Sequence, residues 1–323
     1  MLIRHLSWLL GGIFLVLVSI SATDAQQVGS GEKIRIAYGA NSLSFFVAFV
    51  AKDAGFYAKN GFDAELIMVG PSPGMAALLS GYVDYVELLT GTIRLAAKGA
   101  PVRATSATVS ALFLSMAAQP QYKSVRDLNG KIVGVSFLGG LHHLSAKRLV
   151  HHFGLEPDRQ VKIIPIGDQN LLYQALKIGR VDAVMVDPPF SVMLKREGFP
   201  ILARVADVLP IPAGGLGTTL QKINNNRSQV KRVLKAELEA LRYLRSNPEE
   251  AKKLMQKRFA MDAQMAEDTY NFVIGSYGVD GRLPREGVKT LLDLEKENRV
   301  ISQSVTVEQV VDFSLLDEVL KEQ

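Results

Sequence analysis

In this 323-residue chain, hydroxyl and glycine residues able to hold a small polar molecule stand where short apolar runs give way to helical stretches. Ser42 and Ser44 follow the run 33–38, Ser72 follows 66–70, and Thr90 follows 85–89. Ser136, Phe137, Gly139 and Gly140 follow 131–135, and Asp187 ends the run 183–186 ahead of Pro188-Pro189-Phe190. Serine, threonine and aspartate at such places cap helices. A capped helix aims free N–H groups and its positive dipole end at whatever lies above the preceding strand. Ser72, just before a proline, reads as a strong helix start, and Gly139-Gly140 let a ligand approach backbone N–H groups closely. Asp187 reads chiefly as the N-cap of a helix through Arg196, and also as a carboxylate at a cleft mouth. The chemistry implied is reversible binding of an anionic or strongly polar group, with apolar contact from Phe45, Phe137 or Phe190.

Enzyme motifs are missed rather than met. Gly134-Val135-Ser136-Phe137-Leu138-Gly139 has its second glycine one residue too late for a nucleophile elbow. Nothing matches a phosphate-cradling loop ending in Gly-Lys-Ser/Thr. His142, His143, His151 and His152 raise a metal reading, but on one helix His143 and His151 stand about 12 Å apart along the axis. No single ion joins them, and solvated helix histidines are expected. No catalytic set, metal or cofactor is expected. The chain has no cysteine, which excludes disulfides and a lipid-modified cysteine. The net charge is +5, and basic residues cluster mainly in the C-terminal third, where glutamates interleave with them. That pattern describes a solvated helix face and argues against nucleic acid as a partner.

The elements positioning these residues come as a repeat. Ala77-Leu78-Leu79-Ser80-Gly81-Tyr82-Val83-Asp84 returns 98 positions later as Ala175-Leu176-Lys177-Ile178-Gly179-Arg180-Val181-Asp182. Each copy reads as a last helical turn, a left-handed glycine cap and the start of a buried strand. Runs 33–38 and 131–136 share the same offset. Each half therefore predicts strand, helix, strand, helix, strand, an α/β fold of two mostly parallel βα sheets. Two such units make two lobes with a ligand cleft between them.

Along the chain, a weak basic start (Arg4, His5), the apolar run 9–20 and Thr23-Asp24-Ala25 predict a signal peptide over 1–25, cleaved near Ala25, and a periplasmic location. An uncleaved anchor is the alternative. Residues 32–119 and 218–323 are expected to form lobe 1, with the C-terminal helices as its support, and 123–213 to form lobe 2. Crossings near 119–122, at Pro120, and near 214–217, after Pro210 and Pro212, would make the hinge.

Ala51-Lys52-Asp53-Ala54-Gly55-Phe56-Tyr57, then Gly61-Phe62-Asp63-Ala64-Glu65-Leu66 and the first Gly-x-Val-Asp phrase, are similar to a known family. Leu128-Asn129-Gly130-Lys131-Ile132-Val133-Gly134-Val135, Asp182-Ala183 and Pro188-Pro189-Phe190 continue the likeness. Their order resembles the periplasmic substrate-binding proteins of nitrate, sulfonate, taurine and thiamine-pyrimidine-precursor ABC importers. The resemblance implies a type II two-lobed periplasmic binding protein fold, a small anionic or zwitterionic ligand and a membrane permease as partner, with the protein a monomer. It implies ligand contacts at Ser42, Ser44, Ser72, Thr90, Ser136, Gly140 and Asp187. Family members that make pyrimidines enzymatically carry a cysteine-rich segment, which this chain lacks. A periplasmic sensor module and, behind it, a pyrimidine-synthase-like enzyme are the alternatives.

Overall fold

Alternation of side chains starts the first strand: in β1 (Glu32–Tyr38) Ile34 and Ile36 are buried while Lys33 and Arg35 stay exposed. The computed structural model describes residues 31–323 apart from Gly140, Pro210, Asn298, Arg299, Ser302, Gln303 and Gln323. The expected signal segment 1–25 lies outside the described residues. After β1 come α1 (Phe46–Asp53), α2 (Phe56–Lys59), β2 (Phe62–Met68), α3 (Pro71–Leu79), β3 (Tyr85–Val86), α4 (Leu89–Ala97) and β4 (Val102–Ala104). The second unit contains β5 (Ser115–Ala118), β6 (Ile132–Val135), α5 (Leu141–His152), β7 (Lys162–Pro165), α6 (Gln169–Lys177), β8 (Ala183–Val186), α7 (Phe190–Arg196) and β9 (Ile201–Arg204). The chain then continues through β10 (Gly217–Thr219), α8 (Leu220–Asn225), α9 (Arg227–Ser246), α10 (Pro248–Phe259), α11 (Ala263–Val273), α12 (Arg285–Glu297) and α13 (Ser314–Lys321).

Two five-stranded sheets result, ordered β2-β1-β3-β10-β4 and β7-β6-β8-β5-β9. In each, a parallel trio is joined to an antiparallel strand that enters from a passage: β10, from far along the chain, beside β3, and β5, which opens the second unit, beside β8. The chain therefore passes from one sheet to the other between β4 and β5, over 105–114, not near 119–122 as the proline suggested. Ser115–Ala118 is buried at every position because it has a neighbour on both sides, and Pro120 lies in the turn beyond it. The return runs over 205–216 and includes Gly214 and Gly215.

The two passages are hydrogen-bonded to each other. Thr105 N–H donates to the Leu216 carbonyl (2.8 Å), Thr108 N–H to the Gly214 carbonyl (3.0 Å) and Ala213 N–H to the Val109 carbonyl (2.9 Å). A Cβ on Gly214 would stand 2.3 Å from the Ser44 carbonyl oxygen, and one on Gly215 2.3 Å from the Ser106 carbonyl oxygen. Glycine is required here by close backbone approach.

The repeated phrase has one structural job in both halves. Gly81 (φ 75°) and Gly179 (φ 72°) take the left-handed conformation that ends α3 and α6, where a side chain costs about 1–2 kcal/mol. Val83 and Val181 then turn inward, each buried. Asp84 Oδ2 accepts from Arg35 N–H (2.8 Å), and Asp182 Oδ2 accepts from Ile132 N–H (2.9 Å), tying each phrase to the first strand of its trio. The spare carboxylate oxygens are used as well: Lys222 Nζ donates to Asp84 Oδ1 (2.7 Å) and Tyr122 O–H to Asp182 Oδ1 (2.5 Å).

One apolar cluster runs through both sheets, taking in Val86, Ile93, Val133, Ala146, Met185 and, from the C-terminal part, Val288 and Leu292. A second packs α1 against the buried stripe of α9, Val230, Val233, Leu234, Leu238, Leu241 and Leu244, as its spacing predicts. The C-terminal helices are not confined to the first sheet. Asp268 of α11 pairs with Arg196 of α7 (3.5 Å), and Glu297 of α12 with Arg148 of α5 (3.2 Å). These pairs are exposed enough to contribute about 1 kcal/mol or less each.

Replacing Asp182 with alanine removes two hydrogen bonds to a charged acceptor and leaves the Ile132 N–H unpaired. A loss of about 1.5–3 kcal/mol is expected in urea unfolding, with Asp182→Asn losing less. An unchanged midpoint would remove this residue from the account of the repeat.

Candidate functional site

Parallel strands in each sheet end toward the passages. Val86, ending β3, pairs with Gly217 just after the return passage, and Val186, ending β8, pairs with Ser115 just after the outward one. Loops following these strands therefore collect on either side of the paired segments, outside the carboxyl ends of the strands, where ligands of open α/β sheets lie.

On the first sheet, Ser42 caps the single 3-10 turn Leu43–Phe45, its Oγ accepting from Ser44 N–H (3.3 Å). The turn is pinned to the passage region: Tyr277 O–H donates to the Leu43 carbonyl (2.8 Å), and the Ser44 carbonyl abuts Gly214. Phe45 is half-buried and its ring lies 6.0 Å from that of Tyr38. The other expected caps are corrected. Ser72 is the second residue of α3, exposed, because Pro71 takes the first helical position and Gly70 the cap. Thr90 is likewise inside α4, after a cap residue, Leu88, with no side-chain hydrogen bond. Thr92 is buried, its Oγ1 donating to the Leu88 carbonyl (3.0 Å).

On the second sheet the loops after β6, β7 and β8 meet because those strands are neighbours in the order β7-β6-β8. They bring together Ser136, His142, Gln169 and Asp187. Ser136 Oγ lies 2.8 Å from His142 Nδ1, and His142 Nε2 lies 3.2 Å from Asp187 Oδ2. Gln169 brackets the carboxylate: its Nε2 donates to Asp187 Oδ2 (3.2 Å) and its Oε1 accepts from Asp187 N–H (3.3 Å). Asp187 is thus not the cap of α7, which begins after Pro189 without a side-chain cap. Its carboxylate is drawn instead to two donors across the loop. The aspartate accepts only, so His142 carries its proton on Nε2; Nδ1 is then an acceptor, and Ser136 O–H donates to it.

His142 and Gln169 were missed by sequence reasoning. His142 was taken for a solvated helix residue, but its side chain is 15% exposed and fully engaged. Of the other histidines, His143 accepts from Gly139 N–H (3.1 Å), and burial, then Lys147, lowers its imidazole below the usual range. His151 and His152 are exposed at the end of α5. Among the described residues no group of three or more acidic or histidine side chains could hold a metal ion. Phe137 is 64% exposed beside the cluster, whereas Phe190 is half-buried with its ring 5.9 Å from that of Tyr173. Gly139 is left-handed (φ 79°), and Gly140 lies outside the described residues.

Under the passages sits a second polar group absent from the sequence reading. Glu87, just after β3, and Glu237 of α9 are buried neighbours, and among the described residues no hydrogen bond reaches either Glu87 carboxyl oxygen. Tyr57 O–H donates to Glu237 Oε1 (3.1 Å), and Ser106 O–H, from the outward passage, to Oε2 (3.4 Å). Burial, and then the neighbouring Glu237, hold Glu87 far above the usual carboxyl range. Burial pushes Glu237 up to about 7. Glu87 is therefore the neutral member of the pair, since a buried carboxylate beside a second acid is disfavoured.

A family model described as NMT1/THI5 like matches residues 43–251, more than half of the chain. The chain belongs to the NMT1/THI5-like family. No curated protein matches it in sequence. Among solved structures, the NMT1/THI5-like chain is similar to the periplasmic aliphatic sulphonate binding protein SsuA from Escherichia coli. They share a TM-score of 0.71 and 20% identity over 89% of this chain and 100% of that one. It is similar to the periplasmic nitrate-binding protein NrtA from Synechocystis PCC 6803, with a TM-score of 0.68 and 16% identity over 91% and 90%. It also matches a Candida albicans gene product, CA3427, described as having the generic periplasmic binding protein structural fold (TM-score 0.63, 17% identity over 90% and 94%). These likenesses establish the periplasmic binding protein fold, as the order of motifs implied.

Raised carboxyl pKa values give a defined pH dependence. Above about 4.5 the unfolded chain ionises both acids while the folded one keeps its protons, so their contribution to stability is full below 4.5 and declines as pH rises, Glu237's being lost through about 7 and Glu87's still falling above it. His143, lowered in the folded protein, acts in the opposite sense near 6.5. The comparison of wild type with Glu87→Gln cancels it. Glu87→Gln should melt higher than wild type at pH 8, with a shallower decline between pH 5 and 8. Parallel melting curves for the two proteins would contradict the reading of Glu87 as a buried neutral acid.

Proposed function

We propose that this protein is the extracytoplasmic solute-binding component of an ABC importer, capturing a small organic solute between two lobes and delivering it to a membrane permease. The observation that carries the reading is the pair of glycine-lined, mutually hydrogen-bonded passages lying beside the ligand-facing ends of both sheets. Such a junction lets two rigid units swing about a narrow line. Sulfonate and nitrate binding by proteins of the same fold supports the reading. The leader-like segment 1–25 supports export with cleavage near Ala25. The lobes are residues 31–104 with 217–323, and 115–204, and the working form is a monomer.

Ser42, Ser44 and Phe45 form the first lobe's wall on this account, with the helix starts at Ser72 and Thr90 beside it. Ser136, Phe137, Gly139, Asp187 and Phe190 stand on the second lobe, joined by His142 and Gln169, and Gly140 remains in the proposed contact set. Asp187, with its side chain 42% exposed, narrows the ligand class. A carboxylate in the cleft repels a bare anion such as nitrate and favours a solute that brings its own donors. A zwitterion, such as an aminosulfonate, or an aminopyrimidine meets that requirement.

A thermal-shift panel of nitrate, amine-free sulfonates, aminosulfonates and aminopyrimidines tests this. The donor-bearing solutes should stabilise the protein most, and Asp187→Asn should weaken their binding about tenfold, the loss of roughly 1.4 kcal/mol. Tightest binding by nitrate or an amine-free sulfonate, unchanged in Asp187→Asn, would overturn the ligand class.

A further inference from the structure

The geometry points to a hydrolytic activity in the same cleft: we propose that Ser136, His142 and Asp187 act as a nucleophile, base and orienter on esters with an apolar acyl group. Hydrogen bonds run from serine to histidine to aspartate at 2.8 and 3.2 Å, the connectivity that activates a serine hydroxyl. Asp187 fixes the tautomer in which His142 Nδ1 is free to take the Ser136 proton. Gln169 holds Asp187 from two directions, and its 3.4 Å approach to His142 Nε2 reflects two donors sharing Asp187 Oδ2. Gln169 and Asp187 are positioning residues; Ser136 and His142 meet the reacting atoms.

Surroundings select the substrate. Phe137 and Leu138, on the loop after Ser136, are 64 and 56% exposed; Leu141, opening α5, is 40% exposed, and Leu171, in the first turn of α6 with Gln169, 53%. Exposed apolar side chains grouped at a polar cluster suit an apolar acyl chain beside a reactive carbonyl. Phe137 N–H, next after the nucleophile, makes no hydrogen bond among the described residues and is available to a developing oxyanion.

The reaction balances with water alone. Ser136 Oγ forms a bond to the acyl carbon, its proton passes to His142 Nδ1, and the same proton goes to the departing alkoxide as the ester C–O bond breaks. Water then attacks the acyl-serine, giving its proton to His142, and the acid leaves as Ser136 is reprotonated.

Hydrolysis of p-nitrophenyl butyrate by the purified mature chain is the first measurement. Saturable turnover is expected, falling about 100-fold or more in both Ser136→Ala and His142→Ala. No turnover by wild type, or an undiminished rate in Ser136→Ala, overturns the proposal. A second measurement needs no turnover. Because the chain has no cysteine, Ser136→Cys carries its one thiol, and iodoacetamide alkylation against pH reports the thiolate. Half-maximal reactivity should fall below the ordinary value of about 8.5 and return toward it when His142→Ala or Asp187→Asn is added. An unshifted profile also overturns the proposal. The solute-binding reading fails separately: solute binding by wild type without ester turnover sinks only the triad, and turnover without any bound solute sinks only the import reading.

Discussion

Backbone contact between two passages of chain governs this molecule. Residues 105–109 and 213–216 hydrogen-bond to one another at distances a side chain on Gly214 or Gly215 would not allow. Everything else follows from that junction. β5 and β10, the strands that emerge from it, each enter the sheet the chain has just crossed to, so the first sheet joins two separated stretches of chain while the second is built from one. The ends of β3 and β8 are thereby brought beside it, and with them the loops that carry the candidate site. Even the buried acid pair belongs to this arrangement, since Ser106 of the outward passage donates to Glu237.

Repetition made much of this fold legible in the sequence. Gly81 and Gly179 need a left-handed backbone, Val83 and Val181 need burial, and Asp84 and Asp182 need an N–H to accept, so the phrase could recur only where the local structure recurs. The long C-terminal helix α9 was readable from its apolar stripe. What failed was the location of the outward passage. Pro120 marks a turn, but proline reports local backbone geometry, whereas the sheet to which Ser115–Ala118 belongs is decided by partners far along the chain.

The site was partly legible for a related reason. Strand ends followed by serine, glycine or aspartate are local signals, and Ser42, Ser136 and Asp187 were singled out by them as candidates. Helix boundaries shifted by one or two residues moved Ser72 and Thr90 from caps into first turns. His142 and Gln169 acquire meaning only when β6, β7 and β8 are known to be adjacent. Glu87 and Glu237, 150 residues apart, gave no local signal, because a buried acid is recognisable only from what surrounds it.

Movement of the two sheets about the junction is the claim on which the functional account stands. Ala76 on α3 and Gln174 on α6 are exposed, occupy equivalent positions in the repeat and lie on different sheets. With no native cysteine, Ala76→Cys and Gln174→Cys together accept exactly one pair of spin labels, whose separation can be measured by pulsed electron paramagnetic resonance. The account predicts that a solute shown to bind by thermal shift shortens and narrows the distance distribution. An identical distribution with and without saturating solute would contradict it.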